Sequence, residues 1–154
     1  PAFYLPSILA SPNDIDSFRK TGQRRDLNRE KFEASKLLEI LKNFDSPASK
    51  NISYLTHIVK VRSRLKAFHP EASMKCLHTN IDNCIIIQRG LDEESVFVVC
   101  NMSNEFLNIS LLNKFVLSES FSNKRFLDNI TGTYFNTDKF RLDPYQVVWL
   151  SLTD

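Results

Sequence analysis

The sequence is short of the residues and segments that mark several protein classes. Its 154 residues include only 3 Gly, 6 Pro and 1 Trp. So little glycine excludes a collagen-like or glycine-rich low-complexity chain, and no glycine-rich phosphate-binding loop is present. No apolar run is long enough to span a bilayer, and the N-terminal residues lack the pattern of a signal peptide. We therefore expect a cytoplasmic protein with no membrane partner.

Charge and cysteine content are also low. A formal net charge of +2 is too small to suggest a nucleic-acid partner. The three cysteines, Cys76, Cys84 and Cys100, are odd in number and lie in apolar, strand-like segments, so we expect buried, reduced thiols. Cys76, His78 and Cys84 do not have the spacing of a zinc site, and no metal is predicted.

The first 70 residues contain one strand-like run, one long polar segment and two helical patterns. The apolar run Pro1–Leu5 predicts a short strand buried on both faces. The polar segment 6–29 then predicts a long loop, of the kind that is functional or disordered. A first helix is expected from about Arg29 to Asn43, with Asn28 as its N-cap.

A second helix is predicted from Ser46 and Pro47, which suit the N-cap and the first helical position. Its end is expected at His69 and Pro70. Apolar residues recur along it at spacings of four and three, which predicts a surface helix docked on a core. That stripe consists of Tyr54, Ile58, Val61, Leu65 and Phe68.

The pattern changes after residue 70 to short runs rich in β-branched and aromatic residues. Turn-like pieces separate them, which predicts six to eight short strands in an antiparallel sandwich or small barrel. The runs are Met74–Thr79, Asn83–Gln88, Ser95–Cys100, Leu107–Leu111, Arg125–Ile130 and Tyr145–Leu152. Trp149, on the last of them, is expected in the core, although Trp149 and Tyr145 could also stack on a sugar.

Basic residues cluster in the segment 19–29, which holds five Arg and Lys together with an Asp and an Asn. Arginine forks and carboxylates suit sugar hydroxyls or phosphate, because several fixed donors and acceptors converge on one polar ligand. The pattern alone favours a solvated basic loop held by Arg–Asp pairs. A ligand site is the alternative.

Four motifs in this order resemble the sucrose-phosphorylase-like branch of the α-amylase superfamily. Residues 3–11 resemble the family's eighth barrel strand and its following loop, and Asn13-Asp14 through Arg29 resemble the motifs that come next. Residues 62–70 are similar to the last barrel helix, and residues 142–150 to the final strand of the C-terminal β domain. The resemblance implies an α+β fragment, with the end of a (β/α)8 barrel at 1–70 and an all-β antiparallel sandwich domain at 71–154.

The resemblance also implies site residues. In these enzymes the arginine that stands at Arg25 contacts hydroxyls of the glucosyl unit, so Arg25 is the chief predicted sugar-binding residue. Asn13, Asp14, Asp26 and Arg29 are predicted to shape the loop, with one of them reaching the ligand. The family's catalytic carboxylates come from earlier barrel strands, so no catalytic residue is expected in this chain.

The expected function is thus that of a C-terminal fragment of a retaining α-glucoside phosphorylase acting on sucrose or a glucosylglycerate compound. No cofactor is expected; phosphate is the co-substrate of the parent enzyme, and the chain alone is predicted inactive. Its expected partners are an α-glucoside in the intact parent and the missing barrel portion. Two alternatives remain: a non-catalytic β-sandwich module that binds carbohydrate or a protein, and a fragment of an α-amylase-type hydrolase.

Overall fold

The computed structural model of the chain describes residues 2–28, 31–91, 94–110, 125–136 and 139–153. These residues form two compact units, Pro1–Lys60 and Val61–Asp154. The assignment of 1–70 and 71–154 to a barrel end and a β domain stays a prediction.

The N-terminal unit contains short helices joined by turns. The α-helices are α1 (Leu5–Ile8), α2 (Ile15–Thr21), α3 (Ala34–Lys42) and α4 (Pro47–Arg64). A 3₁₀ helix at Arg24–Asn28 lies between α2 and α3.

The predicted buried strand at Pro1–Leu5 is wrong. Phe3, Tyr4 and Leu5 are 51%, 49% and 53% exposed, and Leu5 begins α1, with Pro6 in its first turn. Proline suits the first turn of a helix because the N–H it lacks would have no intrahelical partner there. A buried strand also needs strands on both sides, and the described residues of this unit contain none.

The predicted long loop and the first helix boundary also differ from the structure. The segment 6–29 contains α2 and the 3₁₀ helix. Neither helix was predicted, because the composition of the segment is polar. Helix α3 begins at Ala34 with Glu33 as its N-cap, so the prediction of Asn28 as N-cap is wrong.

Helix α4 begins as predicted and ends earlier than predicted. The backbone N–H of Ser49 donates to Ser46 Oγ at 3.1 Å, which confirms Ser46 as the N-cap. The α-helix ends at Arg64, and Lys66–Phe68 form a 3₁₀ helix before the predicted end at His69.

The C-terminal unit is an antiparallel β structure with eight strands among its described residues. The strands are β1 (Met74–Leu77), β2 (Cys84–Arg89), β3 (Val96–Asn101), β4 (Leu107–Ile109), β5 (Arg125–Asp128), β6 (Tyr134–Asn136), β7 (Phe140–Leu142) and β8 (Val147–Thr153). The larger sheet has the order β1-β2-β3-β8-β5-β6, and β4 pairs with β7 in a second sheet. Every pairing is antiparallel, as predicted.

One apolar core lies between the two sheets. Ile109 and Leu142 of the small sheet are fully buried, in the same cluster as Phe97, Phe126 and Leu150 of the large sheet. The rings of Phe97 and Phe126 meet edge to face with centroids 5.9 Å apart. Side chains on alternate strand positions thus build a sandwich core. The strands β6 and β7 were not predicted, and Leu111 of the predicted fourth run lies outside the described residues.

The predictions for the cysteines and for the tryptophan need correction. Cys84 is buried, but Cys100 is half-buried and Cys76 is exposed, because Cys76 lies on the edge strand β1. Trp149 is half-buried and packs on Phe68, with ring centroids 4.6 Å apart. Burial raises the pKa of the Cys84 thiol to about 11, with a smaller contribution from Cys100.

Two further findings apply to the described residues. None of their helices combines the length and the apolar character that crossing a membrane requires. No three of their His, Cys, Asp and Glu side chains come together in a group that could hold a metal ion.

Candidate functional site

The predicted sugar-binding segment folds around the N-terminus of α2. Asp14 caps this helix: its carboxylate accepts from the Ser17 backbone N–H at 2.9 Å and from the Ser17 hydroxyl at 2.6 Å. These hydrogen bonds lower the pKa of the Asp14 carboxyl below its ordinary value. The Asp14 N–H also donates to the carbonyl of Leu27 at 2.8 Å. Asp14 therefore joins the two ends of the segment.

The turn between α2 and the 3₁₀ helix positions Asp26. Its carboxylate accepts from the Thr21 hydroxyl at 2.6 Å, and its backbone N–H donates to the Gln23 carbonyl at 3.0 Å. The Thr21 oxygen also accepts from the Gln23 N–H at 3.2 Å. Asp26 is thus held at a fixed position beside Arg25.

Arg25 has the contacts of a residue that can still take a ligand. Its Nε lies 4.0 Å from Asp26 Oδ1, and its side chain is 66% exposed, against 26% for Asp26. An ion pair this long and this exposed holds the arginine weakly. The guanidinium therefore keeps most of its N–H groups available, and these can donate in pairs to sugar hydroxyls or to phosphate oxygens.

A cavity of about 290 Å³ opens beside the segment. Asn13 and Asn28 line it, together with Tyr4 and residues of the α1–α2 turn. The Tyr4 hydroxyl donates to the Asn28 carbonyl across it. Arg25 lies outside this cavity. The structure thus brings Asp14, Asp26 and Arg25 onto one folded segment and places Asn13 at a separate polar opening.

Two residues of the cavity did not emerge from the sequence as site candidates. Tyr4 was assigned to a buried strand and Asn28 to a helix N-cap, so neither pattern indicated a cavity. Arg29, the remaining predicted site residue, lies outside the described residues. Whether Arg25, Asp26, Asn13, Asp14 and Arg29 bind sugar stays a prediction.

Comparison with known sequences identifies relatives along almost the whole chain. No protein-family model matches the sequence. The glucosylglycerate phosphorylase of Allomeiothermus silvanus is 31% identical over 150 residues, which are 97% of this chain and 24% of that protein. The glucosylglycerate phosphorylase of Escherichia coli is 24% identical over 152 residues, 97% of this chain and 25% of that protein. The chain thus spans about a quarter of the length of these curated relatives.

Solved structures share the fold at low sequence identity. An α-amylase from Anoxybacillus matches 71% of this chain and 24% of its own, with a TM-score of 0.57 and 17% identity. The trehalose-6-phosphate hydrolase of Bacillus licheniformis matches 76% of this chain and 20% of its own, with a TM-score of 0.51 and 15% identity. Both comparisons agree with the four ordered motifs: the chain is a partial-length relative of the glucosylglycerate phosphorylases, and it shares its fold with part of the α-amylase and of the trehalose-6-phosphate hydrolase.

Proposed function

We propose that this chain is the C-terminal part of a retaining α-glucoside phosphorylase of the glucosylglycerate type and contributes one sugar-binding segment to its active site. The carrying observation is the 31% identity to a glucosylglycerate phosphorylase across 97% of the chain. In the proposed parent, residues 1–70 end the catalytic barrel and residues 71–154 form the C-terminal domain.

In the reaction of such an enzyme, this chain would bind the glucosyl unit and would not supply the catalytic carboxylates. Retaining glycosyl transfer uses a carboxylate nucleophile and a carboxylic acid about 5 Å apart, which flank the bond that breaks. The carboxylic acid protonates the leaving group as the nucleophile forms the glucosyl-enzyme, and phosphate then displaces the carboxylate nucleophile to give glucose 1-phosphate. In the candidate segment, Asp14 is committed to the cap of α2 and Asp26 to Thr21. These contacts support a role in shaping the segment and leave Arg25 as the group that contacts glucosyl hydroxyls.

The partners of the proposed site follow from the same assignment. An α-glucoside and inorganic phosphate are the substrates of the parent, and the barrel portion is the partner that supplies the catalytic carboxylates. A cytoplasmic location is part of the proposal and is supported by three free cysteines.

A chimaera tests the proposal. The matched quarter of the Allomeiothermus silvanus enzyme is replaced by this chain, and glucosylglycerate is supplied with inorganic phosphate. We expect glucose 1-phosphate from the chimaera and none from the 154-residue chain alone. Product from the isolated chain would contradict the claim that its catalytic carboxylates lie elsewhere. A folded chimaera that is inactive on all α-glucosides tried would contradict the phosphorylase assignment.

Two further assays separate the alternatives. A hydrolase fragment would leave this chimaera without phosphorolysis and would instead restore the release of free glucose when it replaces the matched quarter of the Anoxybacillus α-amylase. A carbohydrate-binding module would retain oligosaccharides by itself through an exposed aromatic platform on its sheet. The rings of Phe97, Phe126 and Phe140 are 1%, 0% and 6% exposed, whereas Phe106, Tyr134 and Tyr145 are 54%, 52% and 67% exposed, so oligosaccharide retention by the isolated chain decides between the fragment and the module.

A further inference from the structure

The 3₁₀ helix Arg24–Asn28, which carries Arg25, depends on support from outside itself. It has five residues, whereas 3₁₀ helices longer than about three or four residues are uncommon, because their hydrogen bonds have poorer geometry than those of an α-helix. Hydrogen bonds from other parts of the chain can therefore fix the position of this helix. Three such bonds are present.

Two of these bonds come from α2. The hydroxyl of Thr21, the last residue of α2, donates to Oδ2 of Asp26, which directly follows Arg25, at 2.6 Å. The N–H of Asp14, at the other end of α2, donates to the Leu27 carbonyl at 2.8 Å. Both ends of α2 thus hold the residues that follow Arg25, one through a side chain and one through the main chain.

The third bond comes from the residue before α1. The Tyr4 hydroxyl donates to the main-chain carbonyl of Asn28, which is 24 positions away and ends the 3₁₀ helix. The last carbonyls of a helix have no partner within it. The Tyr4 hydroxyl provides such a partner and joins this end of the helix to a second part of the chain.

The side chain of Arg25 gains little fixation from its own contacts. Its Nε lies 4.0 Å from Asp26 Oδ1, in an ion pair too long and too exposed to hold the guanidinium. The place of Arg25 is therefore set by its main chain. Because a misplacement of about 1 Å can lower a catalytic rate about 100-fold, the bonds that hold this main chain matter for the reaction.

We propose that Tyr4 and Thr21 are positioning residues for Arg25 in the reaction of the parent phosphorylase. Each hydroxyl donates its proton to the 3₁₀ helix, and neither is assigned a contact with the glucosyl unit. Together they hold the helix through Asp26 and Asn28, on either side of Leu27, so that the Arg25 guanidinium meets the glucosyl hydroxyls at a fixed distance. The inference rests on the proposed function, which assigns the sugar contact to Arg25.

Two substitutions remove the hydroxyls and keep the size of the side chains. Tyr4→Phe has Tyr54→Phe as its control, since Tyr54 is 57% exposed against 49% for Tyr4 and its hydroxyl makes no hydrogen bond with the part of the chain that the structure describes. Thr21→Val has Thr21→Ser as its control, because serine keeps the hydroxyl. Thr21→Val also removes a 3.0 Å hydrogen bond to the Ser17 carbonyl, which serine retains.

Kinetics of the Allomeiothermus silvanus chimaera test the role in the reaction. We expect Tyr4→Phe and Thr21→Val each to lower kcat/KM for phosphorolysis by about fivefold or more, the effect of one hydrogen bond. Tyr54→Phe and Thr21→Ser should lower it by less than about twofold.

The same substitutions in a chimaera that already carries Arg25→Ala show whether the two hydroxyls act through Arg25. There, Tyr4→Phe and Thr21→Val should each lower kcat/KM by less than about twofold, because the group that they position is gone. A general loss of structure would instead reduce kcat/KM by the same factor with and without Arg25. Equal losses in the two backgrounds would overturn the proposal.

Hydrogen exchange in the 154-residue chain gives a readout that does not depend on turnover. The Asp26 N–H donates to the Gln23 carbonyl at 3.0 Å in the turn that leads into the 3₁₀ helix, and NMR follows its exchange with solvent. We expect Tyr4→Phe and Thr21→Val to raise the exchange rate by about fivefold, because the helix opens more often without either bond. Tyr54→Phe should leave the rate unchanged.

The two measurements separate this proposal from the proposed function. Unchanged exchange rates in both variants would contradict the positioning role, whatever the activity of the chimaera. A folded chimaera that is inactive, together with raised exchange rates, would contradict the phosphorylase function and leave the support of the Arg25 main chain by Tyr4 and Thr21 in place.

Discussion

The side-chain amide of Asn101, at the end of β3, donates to the main-chain carbonyl of Asp143, which precedes β8 by four residues, at 2.8 Å. The same amide donates to the Glu105 carbonyl at 2.7 Å, and the Asn101 side-chain oxygen accepts from the Ser103 N–H at 2.9 Å. Asn101 is only 1% exposed. One buried side chain therefore joins three main-chain groups in two turns of the sandwich.

Replacing this side chain should be costly. Asn101→Ala removes these three bonds and a fourth, which the Ser103 hydroxyl donates to the Asn101 side-chain oxygen at 2.8 Å. We therefore expect a loss of about 2–3 kcal/mol in the free energy of unfolding. Asn104→Ala is the control, since Asn104 lies exposed in the same turn and should change stability by less than about 0.5 kcal/mol. Urea unfolding measures both, and similar losses would contradict the assigned role of Asn101.

Substitutions at Gly90 and Gly132 distinguish the cost of backbone strain from the cost of steric crowding. Both have left-handed φ angles, +77° and +75°, but a Cβ at Gly90 would lie 3.2 Å from Ala67 Cβ, whereas a Cβ at Gly132 would meet no atom within 4 Å. Gly132→Ala should cost about 1 kcal/mol, from strain alone.

Gly90→Ala should cost about 1–3 kcal/mol more than Gly132→Ala, because Ala67 must also move. Thermal unfolding of the two single variants measures the difference. The double variant Gly90→Ala/Ala67→Gly should recover part of the extra loss. No recovery would show that the Ala67 contact is not its source.

The thiol of Cys84 gives a pH dependence whose direction follows from its burial. Its pKa is about 11 in the folded protein, above the ordinary value of 9.0. A group with a raised folded-state pKa contributes stability that is fully present below its unfolded pKa and is lost as pH rises through the folded one. The free energy of unfolding should therefore fall from about pH 9 to about pH 11, and Cys84→Ala should flatten this fall. Equal slopes for both proteins would contradict the pKa assignment.

Arg25 should contribute to substrate binding when the chain is part of a complete enzyme. In the chimaera, Arg25→Ala should reduce kcat/KM for phosphorolysis by about 10- to 100-fold, the loss expected for hydrogen bonds to a charged donor. Arg24→Ala is the matched control, since Arg24 is the adjacent exposed arginine on the same 3₁₀ helix.

We expect Arg24→Ala to change kcat/KM by less than about threefold, which corresponds to under 1 kcal/mol. Unfolding midpoints of both variants show whether either one acts through stability. A larger effect at Arg24 than at Arg25 would mean that the motif has been assigned to the wrong arginine.

The helices and strands that were predicted correctly are those specified by residues that are neighbours in the sequence. Ser46 followed by Pro47 determines the start of α4, and β-branched runs such as Val96–Asn101 form strands. The strands β6 (Tyr134–Asn136) and β7 (Phe140–Leu142) have three residues each. The equally short β4 (Leu107–Ile109) lies in the longer alternating run Leu107–Leu111, whereas polar residues flank β6 and β7, so these two strands were not predicted.

Features that depend on distant parts of the molecule were not predictable. The apolar run at Phe3–Leu5 would be buried only if other strands covered it, and the residues described here do not provide them. The motif in the sequence indicated Arg25. The exposure of the Arg25 side chain, however, depends on the hydrogen bond between Thr21 and Asp26, which the motif does not predict. The cavity at Tyr4 and Asn28 joins residues that are 24 positions apart and carry no shared local signal.

The position of β8 between β3 and β5 has a consequence for the order of events during synthesis. Until β8 (Val147–Thr153) has left the ribosome, β1–β3 and β5–β6 remain two separate ribbons whose inner edges have no partner. Such edges invite pairing with strands of other nascent chains. The large sheet therefore cannot close before β8 has emerged, and slowing translation upstream of β8 would prolong the aggregation-prone interval rather than assist folding.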